Sequence, residues 1–146
     1  MNISMKKNKL LLFLLIPALA FSLTSCQSDS DLNYARYYTN GKQLYDTYCL
    51  NCHNNDGEGL KGLIPPLTDT TFLRQNRERL ACIIRHGLDE KIRVSGREYD
   101  FQMPGNESLP DIDVAALVTY ITNSFGNDQG LYSQEDAALH LQNCKH

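Results

Sequence analysis

The amino-acid sequence predicts an all-α domain. Apolar residues recur at helical spacing in four separate stretches, no alternating run is long enough to build a sheet, and Gly- and Pro-rich segments fall between the helical stretches. Asn40 to Tyr48 sets Leu44, Tyr45 and Tyr48 one helical turn apart, with Asn40 as the N-cap. Asn54 to Leu67 carries several glycines and the Pro65-Pro66 pair, and reads as loop. Thr70 to Arg85 holds Phe72, Leu73, Leu80, Ile83 and Ile84 among charges. It predicts one amphipathic helix, stopped by Gly87. Leu88 to Pro110 reads as mostly irregular. Asp111 to Phe125 carries the strongest helical pattern, with Val114, Leu117, Val118 and Ile121 on one face and Gly126 as its end. Ser133 to Cys144 reads as a last short helix opened by a capping box, in which Asp136 replaces the usual Glu opposite Ser133.

A length of 146 residues is one ordinary domain and little more. With 21% charged and 42% hydrophobic residues, the composition excludes a disordered chain and a membrane channel. A net charge of −3 argues against nucleic acid as a partner. The cysteine count of five is odd, so in an oxidising compartment one cysteine needs a role of its own.

The N-terminus points outside the cytoplasm. Lys6, Lys7 and Lys9 precede an apolar stretch, Leu10 to Leu23, that Pro17 interrupts. A spanning helix needs about 20 apolar residues, so this stretch is too short to span and reads as a secretory core. Leu23-Thr24-Ser25-Cys26 resembles the bacterial lipoprotein signal, which implies cleavage before Cys26 and acylation of that residue. The plainer reading is a secretion signal with an incidental cysteine. The organisation expected is a signal peptide over 1–25, a lipidated tether over 26–38, a folded domain over 39–126 and a C-terminal extension over 127–146. Cleavage removes three lysines, leaving 11 basic against 17 acidic residues, so the mature charge is −6. An acidic domain on a lipid anchor is not built to bind anionic lipid or nucleic acid.

Cys49-Leu50-Asn51-Cys52-His53 is C-x-x-C-H, the attachment signature of c-type haem. Thiols one helical turn apart can add to both vinyl groups of one haem, and the next residue then presents an imidazole to the iron. A zinc site would need a second pair of ligands, and a thioredoxin-like pair would need a βαβ pattern; the sequence has neither. A disulfide within the motif would leave His53 unexplained.

From about Asn40 to Phe125 the sequence resembles class I cytochromes c. Gly41 and Tyr45 stand where that family has a Gly and an aromatic on its first helix, and Leu117 and Tyr120 match the apolar–aromatic pair of its last helix. The resemblance implies a small helical fold around one covalently bound haem, here with a C-terminal helical extension. It also implies a Met thioether as the second axial ligand, in the loop before the last helix. Met103-Pro104 sits there, and Met103 is the only methionine left once Met1 and Met5 depart with the signal. His86, His140 and His146 are the alternatives. The family's acceptor for the other N–H of the iron-bound histidine is a proline carbonyl about a dozen residues on, which implies Pro65, with Pro66 as the neighbour. Many members hold a haem propionate with a Trp. This chain has none, which leaves Arg93, Arg97 and Tyr99 as possible donors.

Cys82 and Cys144 remain. In an oxidising compartment, two unassigned cysteines are expected to pair, stapling the tail to the helix before the Met loop. The function expected is not that of an enzyme. It is a membrane-anchored carrier of single electrons between donor and acceptor redox proteins in the cell envelope, themselves membrane-bound. A cytochrome subunit of a larger oxidoreductase and a haem-based ligand sensor are the alternatives. A dihaem peroxidase would need a second C-x-x-C-H, which the sequence lacks.

Overall fold

The computed structural model describes residues 28–144. The chain divides into a unit Met1–Leu32, of which only the start of a helix is described, and a unit Asn33–His146 that contains the rest of that helix and every other element below. Cys26 and His146 lie outside the described residues.

The first helix, α1, spans Asp29–Tyr48. It begins well before Asn40, so residues 29–38 are helical. Asp29 and Asp31 suit its positive N-terminal end, and further along Tyr37 and Tyr38 pack against the core. Asn40 is therefore not a cap; its side-chain amide donates to Asp113 at 3.2 Å. A single turn, α2 (Leu50–His53), follows directly.

The stretch read as one helix over 70–85 is two, α3 (Thr70–Gln75) and α4 (Leu80–His86). The side chain and backbone N–H of Asn76 both donate to the Phe72 carbonyl, at 2.8 and 3.0 Å, and this competition ends the first helix. Only polar residues lie between Gln75 and Leu80, so no apolar face carries the helix across. Gly87 closes α4 with φ +85°.

The segment expected to be irregular contains two small antiparallel ribbons. β1 (Gly87–Leu88) pairs with β4 (Met103–Pro104), and β2 (Ile92–Val94) pairs with β3 (Arg97–Tyr99) around a Ser95-Gly96 turn. Both turn residues have positive φ, 49° and 76°, as a two-residue hairpin requires. The fold is thus mostly helical, not purely all-α.

α5 (Asp111–Ile121) is the centre of the molecule, buried at every residue from Val114 to Ile121. It ends earlier than its sequence pattern, because Thr122 and Asn123 turn their side chains back onto the Val118 and Thr119 carbonyls, each at 2.7 Å. The last helix, α6 (Gln134–Gln142), opens with the Ser133–Asp136 capping box. Tyr132 and Ala137, both fully buried, make the C-terminal stretch part of the same core. Among the described residues no helix is long and apolar enough to cross a membrane.

Candidate functional site

The site is built from the one-turn helix outward. The Cys49 carbonyl accepts from the N–H groups of Cys52 and His53 at 3.1 and 2.9 Å, and this turn brings both thiols and the imidazole to the same wall. Neither thiol is in a disulfide; Cys49 is buried and Cys52 exposed. Burial, and then the neighbouring Cys52, push the Cys49 thiol up to about 12. Behind the turn, Tyr45 donates to the Asn54 carbonyl at 2.7 Å and packs its ring on Tyr120, with centroids 5.2 Å apart.

His53 is only 7% exposed. Its Nδ1 lies 3.2 Å from the Pro65 carbonyl. That oxygen can only accept, so Nδ1 carries the proton and Nε2 keeps its lone pair. Burial lowers the pKa of the imidazole, and the Pro65 bond opposes this only in part. The side chain is therefore a neutral, oriented donor of an electron pair, the form a metal ligand needs.

Met103 reaches the site through the β1–β4 ribbon, in which Leu88 pairs with Met103 and Gly87 with Pro104. A side chain at Gly87 would meet the Met103 carbonyl at 2.4 Å, so the ribbon can form this tightly only with glycine there. The Asn106 N–H donates to the Ile84 carbonyl at 3.0 Å and ties the end of the loop to α4.

Cys49, Cys52, His53, Pro65 and Met103 all border one cavity, together with Pro66. Most of its other walls are apolar, among them Leu73 from α3, Ile83 and Ile84 from α4, Val118 from α5 and Val94 from β2, with Asn106 also on the border. Two thiols, an imidazole with a free lone pair and a thioether around an apolar cavity form the donor set that covalent haem with axial His and Met requires, so the residues present fit that group.

The remaining sequence candidates lie apart. Cys82 and Cys144 are joined by a disulfide with Cα atoms 5.7 Å apart, between α4 and the end of α6. His140 does not border the cavity; its Nδ1 is 2.6 Å from the Tyr132 hydroxyl. Arg93 points outward and pairs with Glu98 at 3.9 Å. Sequence reasoning missed Asp69, which caps α3 through the N–H groups of Thr71 and Phe72 and also accepts from the N–H and hydroxyl of Ser95. It thereby ties the β2–β3 turn to the start of α3. The only signal for this was the Ser95-Gly96 dipeptide between two three-residue strands.

Comparison with known proteins agrees with this geometry. Residues 37–121, more than half of the chain, match the family described as cytochrome C oxidase, cbb3-type, subunit III. One cytochrome c-552 of Thermus thermophilus is 29% identical over 125 residues, covering 83% of this chain and 74% of that one. A second cytochrome c-552 of Thermus thermophilus is 30% identical over 91 residues, 60% of this chain and 69% of the relative. The fructose dehydrogenase cytochrome subunit of Gluconobacter japonicus is 29% identical over 124 residues, 80% of this chain but only 25% of that subunit. The chain belongs to the cytochrome c family described as cytochrome C oxidase, cbb3-type, subunit III, and its cofactor is covalently bound haem c.

Proposed function

We propose that this protein is a membrane-anchored monohaem carrier of single electrons, working in the cell envelope between membrane-bound redox partners. The observation that carries the reading is the cavity with His53 on one wall and Met103 on another. Cys49 and Cys52 form the thioethers to the haem. Nε2 of His53 and the Met103 sulfur would hold its iron. The Pro65 carbonyl fixes the imidazole tautomer and raises its basicity.

When bound, the haem supplies a one-electron iron couple. The protein's part would be to hold the iron with His53 and Met103, leaving no place for substrate, and to wrap the group in apolar side chains that raise its potential. The Met ligand acts in the same direction, favouring the reduced iron relative to a second imidazole. Little needs to rearrange when an electron arrives, because His53 is held by Pro65 and Met103 by a strand pair anchored to α4. The anchor is a lipid on Cys26, which lies outside the described residues.

Exposure of the reduced protein to carbon monoxide at neutral pH tests this reading. A carrier with Met103 in place keeps its spectrum, whereas rapid conversion to a carbon monoxide adduct identifies a ligand sensor. The name of the Gluconobacter japonicus relative favours one second reading, a cytochrome subunit within a larger oxidoreductase. Stoichiometric co-purification with a dehydrogenase or oxidase would establish that role.

A further inference from the structure

The Pro65 carbonyl that orients His53 sits in a segment with few means of being held. Pro65 and Pro66 both border the cavity and neither has a backbone N–H, so this stretch of wall has nothing to donate. The position of the carbonyl is therefore set by the residues that flank the pair. On one side, both backbone groups of Ile64 are tied to Leu60, at 2.8 and 3.1 Å. On the other side Leu67 is held twice. Its N–H donates to the Gly57 carbonyl at 2.7 Å, and its carbonyl accepts from the side-chain amide of Asn127 at 2.9 Å.

Asn127 lies just after α5, 60 residues from Leu67 in sequence, and is only 7% exposed. The same amide nitrogen donates to the carbonyls of Ser124 at 2.8 Å and Ile121 at 3.4 Å. Three surrounding carbonyls fix which end of the amide is the nitrogen. The amide oxygen meets no donor among the described residues, so the donors alone orient this side chain. They join the end of α5 to the far flank of the Pro65-Pro66 pair. The neighbouring Phe125 grips the same loop from its other end: a side chain at Gly57 would begin 2.6 Å from the Phe125 ring. Residues 125 and 127 thus hold both partners of the Gly57–Leu67 bond that closes the loop.

We propose that Asn127 is a positioning residue for the iron-binding histidine: through Leu67 it keeps the Pro65 carbonyl in place at Nδ1 of His53. The proposal rests on the haem-carrier reading and extends the residues that tune the imidazole to the chain beyond α5. The direction of the effect follows from the bond. A firmly held acceptor raises the basicity of the imidazole, which favours the oxidised iron. Loosening the acceptor lowers that basicity and raises the reduction potential.

Asn127→Ala removes the amide and leaves every residue of the cavity in place. Proton NMR of the reduced, haem-loaded variant should show the His53 Nδ1 proton exchanging with solvent about tenfold faster than in the parent, or more. A redox titration should show the potential raised. Ser133→Ala, which removes the α6 cap, controls for lost stability alone and should change neither. An exchange rate equal to the parent's overturns the proposal, as does a change of the same size in Ser133→Ala. Should Asn127→Ala fail to fold, native-state hydrogen exchange in the unaltered protein decides. The His53 Nδ1 proton and the Leu67 N–H should open together, with one dependence on denaturant. A His53 proton that exchanges independently of Leu67 overturns the proposal. Lack of any c-type spectrum would instead defeat the haem-carrier reading, and this inference with it.

Discussion

Gly41 on α1 and Ala116 on α5 pass so close that a side chain at Gly41 would begin 2.0 Å from the Ala116 carbonyl oxygen. The contact sets the crossing of the two helices that back the cavity, and it places Tyr45 of α1 against Tyr120 of α5. Gly41→Ala forces the helices apart, and overpacking of this kind costs about 1–3 kcal/mol. Thermal unfolding should show Tm lowered by roughly 5 °C or more. A variant as stable as the parent would mean that the crossing is not rigid.

Met103→Ala should abolish the Met–Fe(III) charge-transfer band and lower the reduction potential, since the thioether favours the reduced iron. The same variant should gain carbon monoxide binding. Retention of the band would assign the ligand elsewhere, to one of the histidines.

Cys82 and Cys144 are 62 residues apart in sequence. Closing a loop of that length restricts the unfolded chain by about 4 kcal/mol in the loop-entropy view. Denaturant unfolding with and without a reducing agent, or of a Cys82→Ser/Cys144→Ser variant, should show a loss of that order. Tyr132 and Ala137 remain core residues after reduction, so the tail should loosen at its end before it detaches.

Asp69 gives the acid side of stability a specific source. Its carboxyl is held below the usual range first by the N–H of Phe72, then by the Ser95 and Thr71 bonds, with burial opposing. A group depressed in the folded state stabilises fully above its unfolded value, about 3.9, and that stability is lost as pH falls through the folded value. Asp69→Asn should therefore flatten the decline in stability below about pH 4. Asp69→Ala should cost about 1 kcal/mol or more at neutral pH by removing the α3 cap and freeing the Ser95 turn. Urea titrations across that pH range check both.

Cys26→Ser should move the mature protein from the membrane fraction to the soluble one without changing its visible spectrum. Unchanged membrane association would assign the anchor to something other than an acyl chain.

The chemistry of the site was more legible than its supports. C-x-x-C-H could be picked out from its spacing, Pro65 and Met103 only through the family resemblance, and all of them border the cavity. The Ser133–Asp136 capping box was equally visible, as a local hydrogen-bond pattern. The start of α1 was not, since Ser, Asp and Asn before Tyr34 carry no helical signal of their own and the stretch gains order from Tyr37 and Tyr38 on the core. The break at Asn76 hid inside a good amphipathic pattern, because one side chain bonding the Phe72 carbonyl outweighed it. The ribbons were invisible for want of length. Strands of two or three residues show no alternation, and long-range partners such as Asp69 for Ser95 place them.

In the proposed function, His53 and Met103 hold one haem, covalently attached through Cys49 and Cys52, as a one-electron carrier. A redox-poised visible spectrum of protein matured in a haem-attaching host tests it most directly. Expected are c-type Soret and α bands on reduction, a Met–Fe(III) band on oxidation and a single one-electron transition between them. A spectrum without c-type bands, or an oxidised protein without the Met–Fe(III) band, would contradict it.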